Sequence, residues 1–183
     1  LGNIFVGKLS GTNAQGNNNI FMGGNSGTQN TSGESNIFVG NNSGSSMTTG
    51  NEGVLIGNNS GQSANTISGD ILIGSNSGAG ITGTKNTLIG FNSGKVSGTQ
   101  NSFIGYEAGE NSEGDNNTII GYGSGKLIKS DSNIVIGSSS VMTELNAGAA
   151  NDGNVVIGSE SGTTLDSGGN VMVGYKSGEK NAG

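Results

Sequence analysis

Apolar residues in this chain gather in runs of two or three, and each run ends on a glycine. The pattern Asn-x-φ-φ-Gly-x-x-Ser-Gly, with φ apolar, recurs with its first glycine at Gly7, Gly23, Gly40, Gly57, Gly74, Gly90, Gly105, Gly121, Gly137, Gly158 and Gly174. Spacing is nearly constant except between Gly137 and Gly158. A fixed period of this length predicts a solenoid, in which each unit stacks only on its neighbours. The residue before this key glycine is Val6, Val39, Ile56, Ile73 and so on, β-branched in every unit but that of Met22, which points to a strand rather than a helix. The expected fold class is therefore all-β: a parallel β-solenoid of eleven coils of 15–17 residues, one of them longer, forming a single repeat domain over residues 1–183.

Side chains alternate along a strand, so the residue two before the β-branched one shares its face. Ile4, Ile20, Ile37, Val54, Ile71, Thr87, Ser102, Thr118, Ile134, Val155 and Val171 make that second column. Both columns are assigned here to the protomer interior. The middle residue then points the other way, along Phe5, Phe21, Phe38, Leu55, Leu72, Leu88, Phe103, Ile119, Val135, Val156 and Met172. Left in water this file would be a stripe about 50 Å long, well above the apolar patch a soluble monomer usually exposes. The same stripe on identical copies is the economical cover, so these eleven residues are the expected oligomer interface.

Polar positions repeat as well. Asn stands four before the key glycine in most units, replaced by Gly53 and Asp70, and stacked amides at strand spacing are expected to form a hydrogen-bonded ladder that caps the turns. Ser and Gly three and four after the key glycine read as a tight corner. Where Thr87, Ser102 and Thr118 shrink one column, the residue after the glycine enlarges to Phe91, Tyr106 and Tyr122, a small-for-large exchange that suggests shared space.

Composition narrows the class. With 38 Gly, 30% apolar residues and 4% aromatics, a two-layer globular core is under-supplied, and a thin extended object fits better. Disorder is disfavoured by the phased apolar run in every period. A net charge of −6 argues against nucleic acid as a partner. No Cys or His is present, which argues against zinc sites and nucleophilic triads, and no long apolar run implies membrane insertion by this segment. No cofactor is expected.

Asn101-Ser102-Phe103-Ile104-Gly105-Tyr106-Glu107-Ala108-Gly109 and Asn154-Val155-Val156-Ile157-Gly158-Ser159-Glu160-Ser161 resemble the head repeats of YadA-like trimeric autotransporter adhesins, and are similar to repeats of phage tail-fibre shafts. The resemblance implies a left-handed β-roll, a homotrimer and a role in surface attachment. The family carries a small residue at the middle position, where this chain has Phe, Leu or Ile. The expected function is thus that of a structural, adhesive segment of a longer extracellular fibre at a cell surface or on a virion, bound to itself and to a host glycan or protein receptor, and not an enzyme.

Variation concentrates between the motifs, where a solenoid presents binding groups. Ser45 to Gly50, Gly109 to Asp115 and, above all, the insertion at 141–152 are the candidate contact turns, with Val141, Met142, Thr143, Glu144, Leu145 and Asn146 the candidate receptor-contact residues. Three other readings stay open at this point. Glu107, Glu110, Glu113 and Asp115 could serve a polysaccharide-degrading tailspike or a weak cation site, with a solvated cluster as the plain alternative. Tyr106, Tyr122 and Tyr175 could stack on sugars or merely on neighbouring coils. An ice-binding module would need a flat threonine array, and threonines here scatter among the turns.

Overall fold

The computed structural model describes residues 2–94, 98–140, 152–163, 165 and 167–178. It is an all-β parallel solenoid with no helix among the described residues. Eleven three-residue strands form one parallel sheet: β1 (Ile4–Val6), β2 (Ile20–Met22), β3 (Ile37–Val39), β5 (Val54–Ile56), β7 (Ile71–Ile73), β8 (Thr87–Ile89), β9 (Ser102–Ile104), β10 (Thr118–Ile120), β11 (Ile134–Ile136), β12 (Val155–Ile157) and β13 (Val171–Val173). Each strand pairs with the same residues of the next coil, so that Val54, Leu55 and Ile56 meet Ile71, Leu72 and Ile73. In two coils the connecting segment adds a strand, β4 (Thr49–Asn51) and β6 (Thr66–Ser68), which pair with each other.

Inside and outside are the reverse of the expectation. The middle residues from Phe21 to Met172 are at most 8% exposed and form the core of the single chain, with Phe5 in the first coil 38% exposed. Phe5, Phe21 and Phe38 stack ring on ring inside it, with centroids 5.1 and 4.6 Å apart. Ile4, Val6, Ile37, Ile56, Ile71, Ile104, Ile134, Ile157, Val171 and Val173 instead lie exposed on the outer face of the sheet. Phe21, Phe38, Leu55, Leu72, Leu88, Phe103, Ile119, Val135, Val156 and Met172 therefore belong to the protomer core and are not an intermolecular seam, and Phe5 caps the same column at the first coil, half-exposed.

Alternation allows two solutions, and the corner glycine decides between them. Gly61 sits at φ +58 with its missing Cβ turned inward, where one would lie 2.6 Å from Leu55 Cδ2. The Ser-Gly corner thus presses its backbone against the middle side chain, and the coil is too thin to hold anything larger at that point. Ser60 Oγ bridges the two layers by donating to the Leu72 carbonyl of the next coil at 3.0 Å, and Ser77 does the same to Leu88 at 2.9 Å. Connecting segments supply the rest of the core through Met47, Ala64, Ile67, Ile81, Ile128 and Leu165. Ser45 to Gly50 and Gly109 to Asp115 are consequently not free turns, because Met47, Gly50, Ser112 and Gly114 within them are buried.

The expected asparagine ladder is present. Asn36 Oδ1 accepts the Gly53 N–H, Asn36 Nδ2 donates to the Gly50 carbonyl, and the same pattern climbs through Asn101, Asn117 and Asn133. Where Gly53 interrupts it, Ile67 Cδ1 occupies the space a side chain would need. A second ladder, of Asn25, Asn42, Asn59 and Asn76, joins amides from coil to coil at 3.0–3.3 Å. These four adopt φ of 54–57°, a left-handed conformation Asn tolerates better than most residues.

Candidate self-association face

Strand alternation that buries Leu55 must turn Val54 and Ile56 outward, and it does so in every coil. The result is a sheet face with two outer columns: the one through Ile56 is apolar over its full height, and the one through Val54 is apolar except at Thr87, Ser102 and Thr118. Ten steps at about 4.8 Å and a width of about 13 Å make the face about 600 Å² in plan, the polar stretch of three coils included, at the upper limit for a monomer's largest patch. Total surface is ordinary: 8016 Å², against about 8,000 Å² for a compact monomer of this mass. The anomaly is therefore the placement of apolar groups and not the amount of surface.

At the corner bounding this face, one residue past the key glycine, Phe91, Tyr106 and Tyr122 stack with centroids 5.3 and 5.1 Å apart and planes within 12°. Each inner ring face is covered by the neighbouring ring, so this ladder offers edges and hydroxyls outward in place of an open platform for a sugar. Tyr175 stands apart, with Lys176 Nζ 5.6 Å from its ring centre.

The acidic cluster divides in two. Glu107 and Glu110 both pair with Lys126, the latter at 3.2 Å, and a hydrogen bond from Lys126 to the Glu107 carboxylate raises the Lys126 pKa. Glu107 also raises the Tyr106 pKa, mainly through a hydrogen bond. Asp115 turns to the backbone: its Oδ1 accepts the Thr99 N–H at 2.7 Å, and Asp131 serves Asp115 likewise. Among the described residues no group of three or more carboxylates is placed to hold a metal ion. The candidate contact residues Val141, Met142, Thr143, Glu144, Leu145 and Asn146 lie outside the described residues.

Among the described residues one ionisable group is fully buried in the stack. Asp70 takes an Asn position in the ladder, accepting from the Asn86 N–H at 2.8 Å and the Ser68 N–H at 2.9 Å. Burial raises its pKa, and these hydrogen bonds offset that only in part. With the folded-state pKa above the unfolded value, the ionised form costs stability at neutral pH, and the cost vanishes as pH falls through the folded pKa. Asp70→Asn removes this titration. The melting-temperature difference, Asp70→Asn minus wild type, should accordingly shrink between pH 7 and pH 4 in a thermal-shift series; a constant or growing difference would contradict the assignment.

Sequence reasoning placed the outer columns inside and missed the second core column. The inward αL glycine carried the signal for the former. The latter varies as Met47, Ala64 and Ile81, and at Asn30 it is a buried amide without a hydrogen-bond partner among the described atoms, so no residue type marks it. Comparison with protein-family models, with curated proteins and with solved structures gave no match.

Proposed function

We propose that this chain is a structural, adhesive segment of an extracellular fibre, carried at a cell surface or on a virion, which assembles with copies of itself and holds or spaces an attachment site. The outer apolar face carries the reading. It runs the whole height of the described solenoid, and its occupant must match a repeat of about 4.8 Å over that height, which a second solenoid of the same chain does. About 600 Å² per protomer in plan approaches the roughly 800 Å² per partner of a stable interface. Three copies in a left-handed β-roll is the arrangement that the resemblance to YadA-like heads suggests, with Ile56, Ile104 and their columns toward the axis and the middle residues kept inside each protomer. Receptor contact, to a glycan or a protein, is assigned to the insertion at 141–152. Catalysis is not part of the reading: Glu107 and Glu110 are engaged by Lys126, and the stacked rings favour packing over sugar binding.

Sedimentation at micromolar concentration tests the assembly. The expected mass is about three times the 18.0 kDa of one chain. A dimer would overturn the trimer count, and a folded monomer would overturn the reading itself. Trimming Met142 to Ala150 to a few glycines should leave the melting temperature within a few degrees while lowering adhesion to host cells. Unchanged adhesion would leave the segment a spacer.

A further inference from the structure

A face built from equal steps has a weakness that its apolar character does not cure. Sliding one copy by one coil leaves ten of eleven strands overlapped and restores isoleucine against isoleucine, so a uniform stripe does not specify alignment. One stretch of the face is not uniform. In three successive coils the outer column turns polar at Thr87, Ser102 and Thr118, while the bounding corner carries the stacked Phe91, Tyr106 and Tyr122. The coils on either side have Ser75 and Ser138 at that corner and Ile71 and Ile134 in that column.

We propose that this six-residue patch sets the axial register between copies of the chain, an inference that rests on the self-assembly proposed above. In register, ring-bearing coils meet their counterparts at one height. A slip of one coil sets a tyrosine level with a serine and an isoleucine level with a threonine hydroxyl, exchanging apolar contact for a desolvated polar group. The rings are pre-ordered by their own stacking, and Glu107 holds Tyr106 from the side, so the patch is rigid enough to discriminate. Its partner is a second copy of this chain, because only that surface repeats the same irregularity at the same height.

The chain has no cysteine, so introduced thiols report alignment without interference. Chains carrying Ile56→Cys are co-assembled with tagged chains carrying Ile89→Cys and oxidised; β5 and β8 lie two strand steps apart, about 10 Å, beyond disulfide reach in register. In the otherwise native background, Ile56→Cys chains should link to each other and mixed links should be scarce. With Thr87→Ile, Ser102→Ile, Thr118→Ile, Phe91→Asn, Tyr106→Asn and Tyr122→Asn added, mixed links should rise at least tenfold at unchanged assembly mass. Assembly of that variant without mixed links overturns the register role. Should the sixfold variant fail to assemble, the three ring replacements alone decide: mixed links support the inference, while folded monomers mean that the rings supply adhesion and overturn it. Absence of Ile56→Cys self-links in the native background, with a monomer mass, would instead sink the self-assembly reading.

Discussion

Leu55→Asp should abolish the folded solenoid, whereas Ile56→Asp, one residue along, should leave each chain folded and weaken its assembly. Leu55 is fully buried against the Gly61 corner, with Phe38 in the coil before it and Leu72 in the coil after, while Ile56 is 39% exposed on the outer face. A carboxylate at Leu55 would have no water and no partner, which costs more than the 4–5 kcal/mol that marks exceptional substitutions and rivals the total stability of a typical domain, about 5–15 kcal/mol. At Ile56 the charge stays solvated in the free chain, so the stability change of the monomer should stay within about 1 kcal/mol. Far-ultraviolet circular dichroism reads the first and sedimentation the second. A folded, assembled Leu55→Asp chain would put the middle column outside after all.

Gly74→Ala should lower the melting temperature by at least roughly 6 °C, the shift about 3 kcal/mol produces in a chain of this size. Gly74 holds φ +133, a region closed to residues with a side chain, and an added Cβ would overlap the carbonyl of Gly90 in the next coil. Neither neighbour can yield, since Gly74 N–H donates to Ile56 O and Gly90 N–H to Ile73 O at 2.7–2.8 Å. Gly169→Ala is the control. That glycine has φ +75 and open space around its Cβ position, so only the backbone cost of about 1 kcal/mol applies. Equal losses at the two sites would show that coil stacking does not depend on the key glycine.

Much of the fold was legible because the repeat fixes register: once Gly57 and Gly74 are equivalent, Leu55 must pair with Leu72. The asparagine ladder followed from the same equivalence. What periodicity could not supply was the sign of the alternation, since Val54 and Ile56 on one side and Leu55 on the other are all apolar. That sign rests on the left-handed turn at Gly61, a backbone property that a Ser-Gly pair hints at and does not specify. The candidate face was thereby displaced by one residue. Interior positions such as Met47 and Ile67 were hidden for another reason: the Met47 column changes residue type from coil to coil, through Asn30, Ala64 and Ile81, and Ile67 lies in an extra strand that two of the described coils form.

Strands that lie across the long axis give the segment an unusual response to force. Its interstrand hydrogen bonds point along that axis, from Gly105 N–H to Ile89 O and from Gly121 N–H to Ile104 O, so tension opens them one coil after another and never loads many together. A folded coil contributes about 4.8 Å of height, and the same coil drawn out, as from Gly105 to Gly121, spans about 50 Å. A single chain pulled from its end therefore lengthens about tenfold at low force, coil by coil. Lateral seating against copies would close that path, converting a yielding thread into a stiff rod.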